Sequence, residues 1–105
     1  MNLAYARMVN TRTKPGKREE ALKIIDAAPK QNVEGFMGII ALLDEDDPDS
    51  MTVISVWDSK ETLDASAKGI FKDIMDDTMD LREGPPDVKN AKTREMRGQL
   101  VPVKA

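Results

Sequence analysis

The sequence predicts an α+β fold whose elements follow the order β-α-β-β-α-β. Three features support this prediction: two segments with apolar residues at helical spacing, a pair of apolar runs joined by an acidic turn, and an alternating segment near the N-terminus. Apolar steps of three and four residues are typical of a helix, and two apolar runs around a polar turn are typical of a β-hairpin. This order predicts a four-stranded antiparallel sheet with both helices on one face, the ferredoxin-like arrangement.

The first strand is predicted over residues 4–12 and is followed by the first helix. Pro15 and Gly16 open the helix, acidic residues occupy its first turn, where the helix dipole favours anions, and Pro29 ends it. Alternation along the strand places two sets of side chains on opposite sides: Ala4, Ala6, Met8 and Asn10 on one, and Tyr5, Arg7, Val9 and Thr11 on the other.

The hairpin is predicted from strands at residues 36–46 and 51–58. The acidic run DEDDPDS between them indicates a turn. It has neither the ligand spacing nor the glycine of an EF-hand calcium loop, so a solvated turn is expected and no metal site.

A second, long amphipathic helix is predicted to begin after Asp58 and to run to about residue 81. Asp58 and Glu61 match the spacing of a reciprocal N-terminal cap. Gly69, inside the apolar stripe, favours either close packing or a bend, and the run Gly84, Pro85 and Pro86 ends the helix. The last strand is expected over residues 91–101.

The second strand is apolar on both of its faces. Two helices on one side of a sheet cannot cover both, and a monomer would expose a larger apolar patch than soluble proteins usually tolerate. The pattern therefore predicts a homodimer that is closed through the helix-free face of the sheet.

Length and composition restrict the chemistry further. A chain of 105 residues corresponds to one domain, over residues 1–105. It contains no cysteine and no histidine, which excludes thiolate nucleophiles, a histidine base and the usual axial ligand of haem. The net charge of -3 and the lack of a long apolar segment argue against nucleic acid and membrane partners, so a cytoplasmic protein is expected.

Four residues are candidates for a site. Trp57, the only tryptophan, ends a predicted strand, where an indole either packs the start of the next helix or forms a pocket wall. Asn10 is an amide inside a strand, which fits a pocket or an edge strand. Tyr5 and Arg7 share a face and suit either the binding of an anionic phenolate or a position that is solvated or at a dimer rim.

Three stretches resemble a known family. The tripeptide KPG followed by Lys17, the strand end VWDSKETL, and Asn10 ahead of the first helix are similar in order and spacing to the antibiotic biosynthesis monooxygenase (ABM) family. The likeness extends over most of residues 5–100. It implies a dimeric α/β barrel in which two sheets face each other, with a small pocket between the sheet and the helices of each protomer.

The resemblance also implies an activity. The family includes cofactor-independent oxygenases of phenolic or quinol compounds, haem-degrading enzymes and proteins with no known activity. Its phenol-oxidising members use an asparagine, a tryptophan, a tyrosine and an arginine. This implies Asn10 as the catalytic residue and Trp57, Tyr5 and Arg7 as substrate-binding residues.

Haem degradation is not expected. The resemblance places Ser66, and Met75 or Asp76, where the haem-degrading members have tryptophan and histidine. An electron-rich phenolate can itself reduce dioxygen, so no metal or other cofactor is expected. The predicted function is the cofactor-independent oxidation of a small phenolic or quinol-type compound. The alternative is a non-catalytic dimeric module that binds a small ligand.

Overall fold

The computed structural model describes residues 4–27 and 33–97, and these form a ferredoxin-like α+β fold, as predicted. No helix in these two ranges is long and apolar enough to cross a membrane. A 3₁₀ turn, Met79–Leu81, precedes the last strand. The other elements are β1 (Tyr5–Arg12), α1 (Arg18–Ala27), β2 (Phe36–Leu43), β3 (Ser50–Trp57), α2 (Lys60–Ser66), α3 (Ile70–Asp77) and β4 (Asp87–Lys92).

The four strands form one antiparallel sheet in the order β2-β3-β1-β4. The predicted hairpin is confirmed, because β2 pairs with β3 along its length, with Ile40 opposite Ile54. β1 lies between β3 and β4, so Asn10 belongs to an inner strand rather than an edge strand.

The helices pack on one face of the sheet, here called the helix-covered face. Ala21 and Ile25 of α1 pack with Met51 of β3 at the centre of the core. On β1 the side chains of Arg7, Val9 and Thr11 point to this face, because they line the same cavity as residues of the helices. The alternate residues, including Asn10, therefore point to the opposite, helix-free face.

The second helix is divided into two, which corrects the prediction of one long helix. α2 ends at Ser66 and α3 begins at Ile70, with Gly69 as its N-terminal cap residue. The cap of α2 is also one residue later than predicted. Ser59 Oγ, rather than the Asp58 carboxylate, accepts the hydrogen bond from the backbone amide of Thr62, at 3.2 Å.

The last strand begins at Asp87 and ends at Lys92, earlier than the predicted 91–101. All of its residues are exposed, so it has no apolar alternation by which the sequence could locate it. Its position is set by pairing with β1, where Asp87 lies opposite Asn10 and Lys92 opposite Tyr5. Residues 98–101 of the prediction lie outside the described residues.

The acidic turn between β2 and β3 is more ordered than a simple solvated turn. The Asp44 carboxylate accepts hydrogen bonds from the backbone amides of Asp46 and Asp47, at 2.9 and 2.8 Å. Asp49 is buried and accepts from the backbone amide of Gly16 at 3.0 Å. The turn thus attaches the hairpin to the segment before α1.

Candidate functional site

A cavity lies between the helix-covered face and the helices. About 70 Å³ of it is open to the centre of a water molecule. Since one water requires about 10–15 Å³ by this measure, the cavity has room for about five waters. Five waters occupy about 150 Å³ in the liquid, and an apolar cavity of about this volume can bind benzene. The cavity thus has the size of one aromatic ring. Its apolar walls include Val9, Ile25, Ile39, Val53, Ile70 and Ile74.

Arg7 borders this cavity and links β1 to α2. Its side chain is buried, with only 3% of the residue exposed. Nη1 donates to Ser66 Oγ and Nη2 donates to the carbonyl of Leu63, both at 2.8 Å. The guanidinium also lies 4.1 Å from the centre of the Phe71 ring, in a cation–π arrangement. Because both oxygen acceptors lie in the last turn of α2, Arg7 holds the C-terminal end of that helix against the sheet.

The charge of Arg7 has only neutral direct partners in the described part of the chain. No carboxylate oxygen of residues 4–27 or 33–97 lies within 4.0 Å of its guanidinium. Burial lowers the pKa of Arg7 from its usual value, and the negative charge of Asp64 partly opposes this. Arginine nevertheless remains protonated, so its charge at the cavity wall would attract an anionic group that enters the cavity.

Trp57 forms another part of the wall and is also a core residue. It is 2% exposed, and its ring meets Phe36 edge to face, with centroids 5.4 Å apart. Its Nε1 donates to Ser55 Oγ at 2.9 Å. Since this indole N–H already has a partner, Trp57 offers a ligand an aromatic surface rather than a hydrogen bond.

The other end of the cavity, further along β1, is formed around Arg82. Nη1 of Arg82 contacts Met75 Sδ at 3.1 Å, and Nη2 donates to the Met75 carbonyl at 2.9 Å. Arg82 Nε and Thr11 Oγ1 are both buried, and neither has a hydrogen-bond partner among the described residues. Arg82 and Thr11 line the cavity, but these two atoms are themselves shielded from it, so the surface at this end is apolar.

The predicted site residues do not all meet. Arg7 and Trp57 line the same cavity, whereas Tyr5 shares their sheet face by alternation but is not among the lining residues. Asn10 is exposed on the helix-free face, where its Oδ1 accepts a hydrogen bond from Thr52 Oγ1, and it borders a wider, open groove. A catalytic role for Asn10 stays a prediction. One small ligand in the cavity would not contact both Asn10 and Arg7.

Several lining residues were not identified from the sequence. Thr11 and Ser55 could have been, since each follows the two-residue period of Arg7 or Trp57 along its strand. Arg82 offers no such signal, because it follows the helices and reaches the cavity only through the tertiary fold. In residues 4–27 and 33–97, no cluster of three or more Asp, Glu, His or Cys side chains is arranged to hold a metal ion.

The cavity is built on a fold with known relatives. The family model of the antibiotic biosynthesis monooxygenases matches residues 4–75, more than half of the chain. The chain therefore belongs to this family, as its resemblance indicated. The matched part includes every element from β1 to α2 and most of α3. No curated protein is similar enough to count as a match.

Solved structures share the fold over nearly the whole chain. A candidate antibiotic biosynthesis monooxygenase from Chloroflexus aurantiacus J-10-fl is 24% identical, covers 91% of this chain and 96% of its own, and has a TM-score of 0.71. A candidate from Nitrosomonas europaea is 17% identical, with coverages of 93% and 97% and a TM-score of 0.79. A candidate from Caulobacter crescentus CB15 is 16% identical, with coverages of 90% and 92% and a TM-score of 0.76. At these identities the likeness shows the shared fold.

Proposed function

We propose that this protein is a cofactor-independent monooxygenase that oxidises a small phenolic or quinol-type compound in the cavity between sheet and helices. Membership of the family suggests the class of reaction, but a fold supports many activities, so the proposal depends on the site. The observation that supports it most is Arg7, a buried guanidinium with neutral direct partners at the wall of an apolar cavity. Such a group favours an anionic ligand, and a phenolate is an anion with an apolar ring.

The reaction requires little acid–base machinery. A phenolate transfers one electron to dioxygen, the two radicals combine through a new C–O bond, and the peroxide formed loses water to leave a quinone. Phenol plus dioxygen gives quinone plus water, so one oxygen atom enters the product and the other leaves as water. In this scheme Arg7 favours the phenolate, since an adjacent cation lowers the pKa of the phenol, and the apolar walls exclude bulk water.

Trp57 is proposed as a wall on which the substrate ring packs. The predicted catalytic role of Asn10 would require chemistry at the helix-free face, where its side chain lies. The predicted role of Tyr5 in binding would require a ligand that extends beyond the lining residues. Substitutions of Trp57, Asn10 and Tyr5 would therefore test three different locations of the substrate.

We also propose that the protein is a homodimer closed through the helix-free face. Register places Met8, Ile40, Ile54 and Val56 on this face, where no helix of the described chain packs. Leu42, at the same face, is 49% exposed. Two-fold pairing of this apolar surface would remove it from water, and two-fold closure is the commonest oligomeric symmetry.

The test is oxygen consumption by the purified protein across a panel of phenols and quinols. On any active compound, Arg7→Met should lower kcat/KM by about a hundredfold or more, the typical loss for one well-placed electrostatic donor. Arg7→Lys, which retains the charge, should lose less. Arg94→Met is the matched control, because Arg94 is exposed beyond the end of β4, and it should leave kcat/KM unchanged.

Asn10→Ala, assayed beside these variants, locates the reaction. A hundredfold loss in Asn10→Ala with little change in Arg7→Met would place the chemistry on the helix-free face and contradict the proposed site. Circular dichroism would establish that each variant is folded. A panel without any oxygen uptake would favour the alternative, a non-catalytic dimeric module that binds a small ligand.

A further inference from the structure

We propose that Phe71 is a gate between the cavity and Arg7. Its ring covers the guanidinium in this structure, and an anionic ring compound contacts Arg7 only after the first turn of α3 has moved the ring aside. This inference depends on the proposed function for the class of ligand. It follows from the surroundings of Arg7, the apolar surface of the cavity and the way in which α3 is attached.

The guanidinium of Arg7 has different neighbours on its two sides. Its hydrogen-bond acceptors, Ser66 Oγ and the carbonyl of Leu63, belong to residues that do not line the cavity. Phe71 does line the cavity, and the centre of its ring lies 4.1 Å from the guanidinium carbon, which is a contact distance. Phe71 is therefore the neighbour of the guanidinium on the cavity side.

The surface of the cavity agrees with this arrangement. It is almost entirely apolar, although Arg7 is one of the lining residues. A ligand in the cavity of this structure thus meets the ring of Phe71 and the other apolar walls. The charge of Arg7 attracts an anion through the ring, but a hydrogen bond from the guanidinium requires that the ring move.

The ring of Phe71 lies on the part of the helical layer that is least firmly attached. The amides of Lys68 and Gly69 donate to carbonyls three residues back, both at 3.1 Å, and the next bond runs from the Asp73 amide to the Gly69 carbonyl, at 3.0 Å. Among the described residues, no backbone hydrogen bond joins the chain before Gly69 to α3. α3 also has no buried residue, whereas α1 and α2 have two each.

The opposite end of α3 is fixed more firmly. Arg82 Nη2 donates to the Met75 carbonyl at 2.9 Å, and the Lys14 amide donates to the Leu81 carbonyl at 2.8 Å, which ties the 3₁₀ turn to the segment before α1. A movement of α3 is therefore easiest at its first turn, where the half-buried Phe71 lies.

The gate distinguishes an anion from a neutral ring of the same size. A phenolate oxygen forms a charge-assisted hydrogen bond with a guanidinium, which is stronger than the contact of the guanidinium with a ring. A neutral, apolar ring offers no such exchange, so it should occupy the cavity with Phe71 in place. The charge of Arg7 thus becomes available for contact only to a ligand that can pair with it.

The experiment is a titration of the purified protein without oxygen, so that turnover does not interfere. The probes are 2,6-difluorophenol, which ionises near neutral pH, and fluorobenzene, a neutral ring of similar size. Trp57, the only tryptophan, lines the cavity, so its fluorescence reports the binding of both. In Phe71→Leu, the affinity for 2,6-difluorophenol relative to fluorobenzene should rise by about threefold to tenfold, which corresponds to the loss of a cation–π contact.

Phe36→Leu is the matched control for Phe71→Leu. Phe36 also lines the cavity, but its ring packs against Trp57 rather than Arg7. The same substitution there should change both affinities together and leave their ratio as it is. A ratio that does not change in Phe71→Leu would overturn the inference.

Nuclear magnetic resonance of the unaltered protein gives a second measurement, which still decides if Phe71→Leu does not fold. The ring current of Phe71 shifts the signals of the Arg7 side chain. Saturation with 2,6-difluorophenol should remove this shift, whereas fluorobenzene should leave it, and a merely structural role of Phe71 would predict no such difference. A shift that persists at saturation, or a failure of 2,6-difluorophenol to bind, would contradict the gate.

The outcomes separate this inference from the proposed function. Loss of the ring-current shift in a protein that consumes oxygen with no phenol supports the gate and counts against the monooxygenase. Oxygen uptake together with a persistent ring-current shift supports the monooxygenase and counts against the gate.

Discussion

The environment of Arg7 determines what the cavity can bind. The buried charge is stabilised by the Ser66 hydroxyl, the Leu63 carbonyl and the face of Phe71. A carboxylate partner would also stabilise the buried charge of Arg7. Such a pair would be neutral, however, and would not attract anions to the cavity. Neutral acceptors let the same side chain hold α2 in place and retain its charge toward the cavity.

Also at the scale of single residues, Gly35 is required where the chain enters β2. Its φ is +79°, and a Cβ built there would lie 2.3–2.5 Å from side-chain atoms of Thr62. Gly35→Ala should therefore destabilise the protein by about 2–4 kcal/mol, combining the left-handed backbone with a steric clash. Urea unfolding measures the change.

Gly16→Ala is the matched control for Gly35→Ala. Gly16 has a similar φ of +77°, but an added Cβ has no heavy atom within 4 Å. Gly16→Ala should therefore lower the free energy of unfolding only by the backbone cost, about 1 kcal/mol. Equal losses in the two variants would show that Thr62 does not constrain Gly35.

At the scale of elements, Arg12 joins β1 to the acidic turn of the hairpin. Arg12 Nε donates to Asp47 Oδ2 at 2.8 Å, and Nη1 pairs with Glu83. The side-chain hydrogen bond from Arg12, with smaller contributions from the backbone amide of Asp49 and from Ser50, lowers the pKa of Asp47 to about 2, from an ordinary 3.8. The Asp47 carboxylate therefore binds a proton more readily in the unfolded chain than in the folded protein.

Arg12→Gln should accordingly have an effect that depends on pH. Because the folded pKa of Asp47 is depressed, its contribution to stability is complete above about pH 4 and is lost as the pH falls toward 2. The variant should be less stable than the unaltered protein at pH 7, and the difference in urea midpoint should narrow by pH 3.

Lys17→Gln provides the comparison for Arg12→Gln. It removes a charge of the same sign from an exposed pair with Glu20, whose N–O distance is 3.6 Å, and exposed pairs of this kind contribute little. A difference between Arg12→Gln and the unaltered protein that stays constant from pH 7 to pH 3 would show that Arg12 does not act through Asp47.

At the scale of the whole molecule, the helix-free face should control assembly. Ile54→Lys places a charge among Met8 and Ile40 on that face, and a charge buried without a partner in an interface is costly. Light scattering should give twice the 11.7 kDa chain mass for the unaltered protein and a single chain mass for the variant.

Met79→Lys is the control for Ile54→Lys. Met79 is 57% exposed in the 3₁₀ turn, outside the sheet, so the same charge there should leave the dimer intact. A single-chain mass for the unaltered protein at micromolar concentration would contradict the proposed dimer.

The sequence by itself determined the order of the elements, the hairpin and the apolar character of both faces of β2. These features depend on local periodicity and turn chemistry, which are written within a few consecutive residues. It did not locate β4, because an exposed strand paired with the distant β1 has no apolar pattern of its own. It located only part of the site, through Arg7 and Trp57.

Only the tertiary structure decided which side of the sheet is the helix-covered face. That choice placed Arg7 in the cavity and Asn10 outside it, although the two residues are three positions apart on one strand. The partners of Arg7 on α2 are 56 and 59 residues away in sequence, and Arg82 reaches the cavity from beyond α3. Burial and hydrogen-bond partners arise from contacts between distant segments, and the packing of helices on a sheet fixes them.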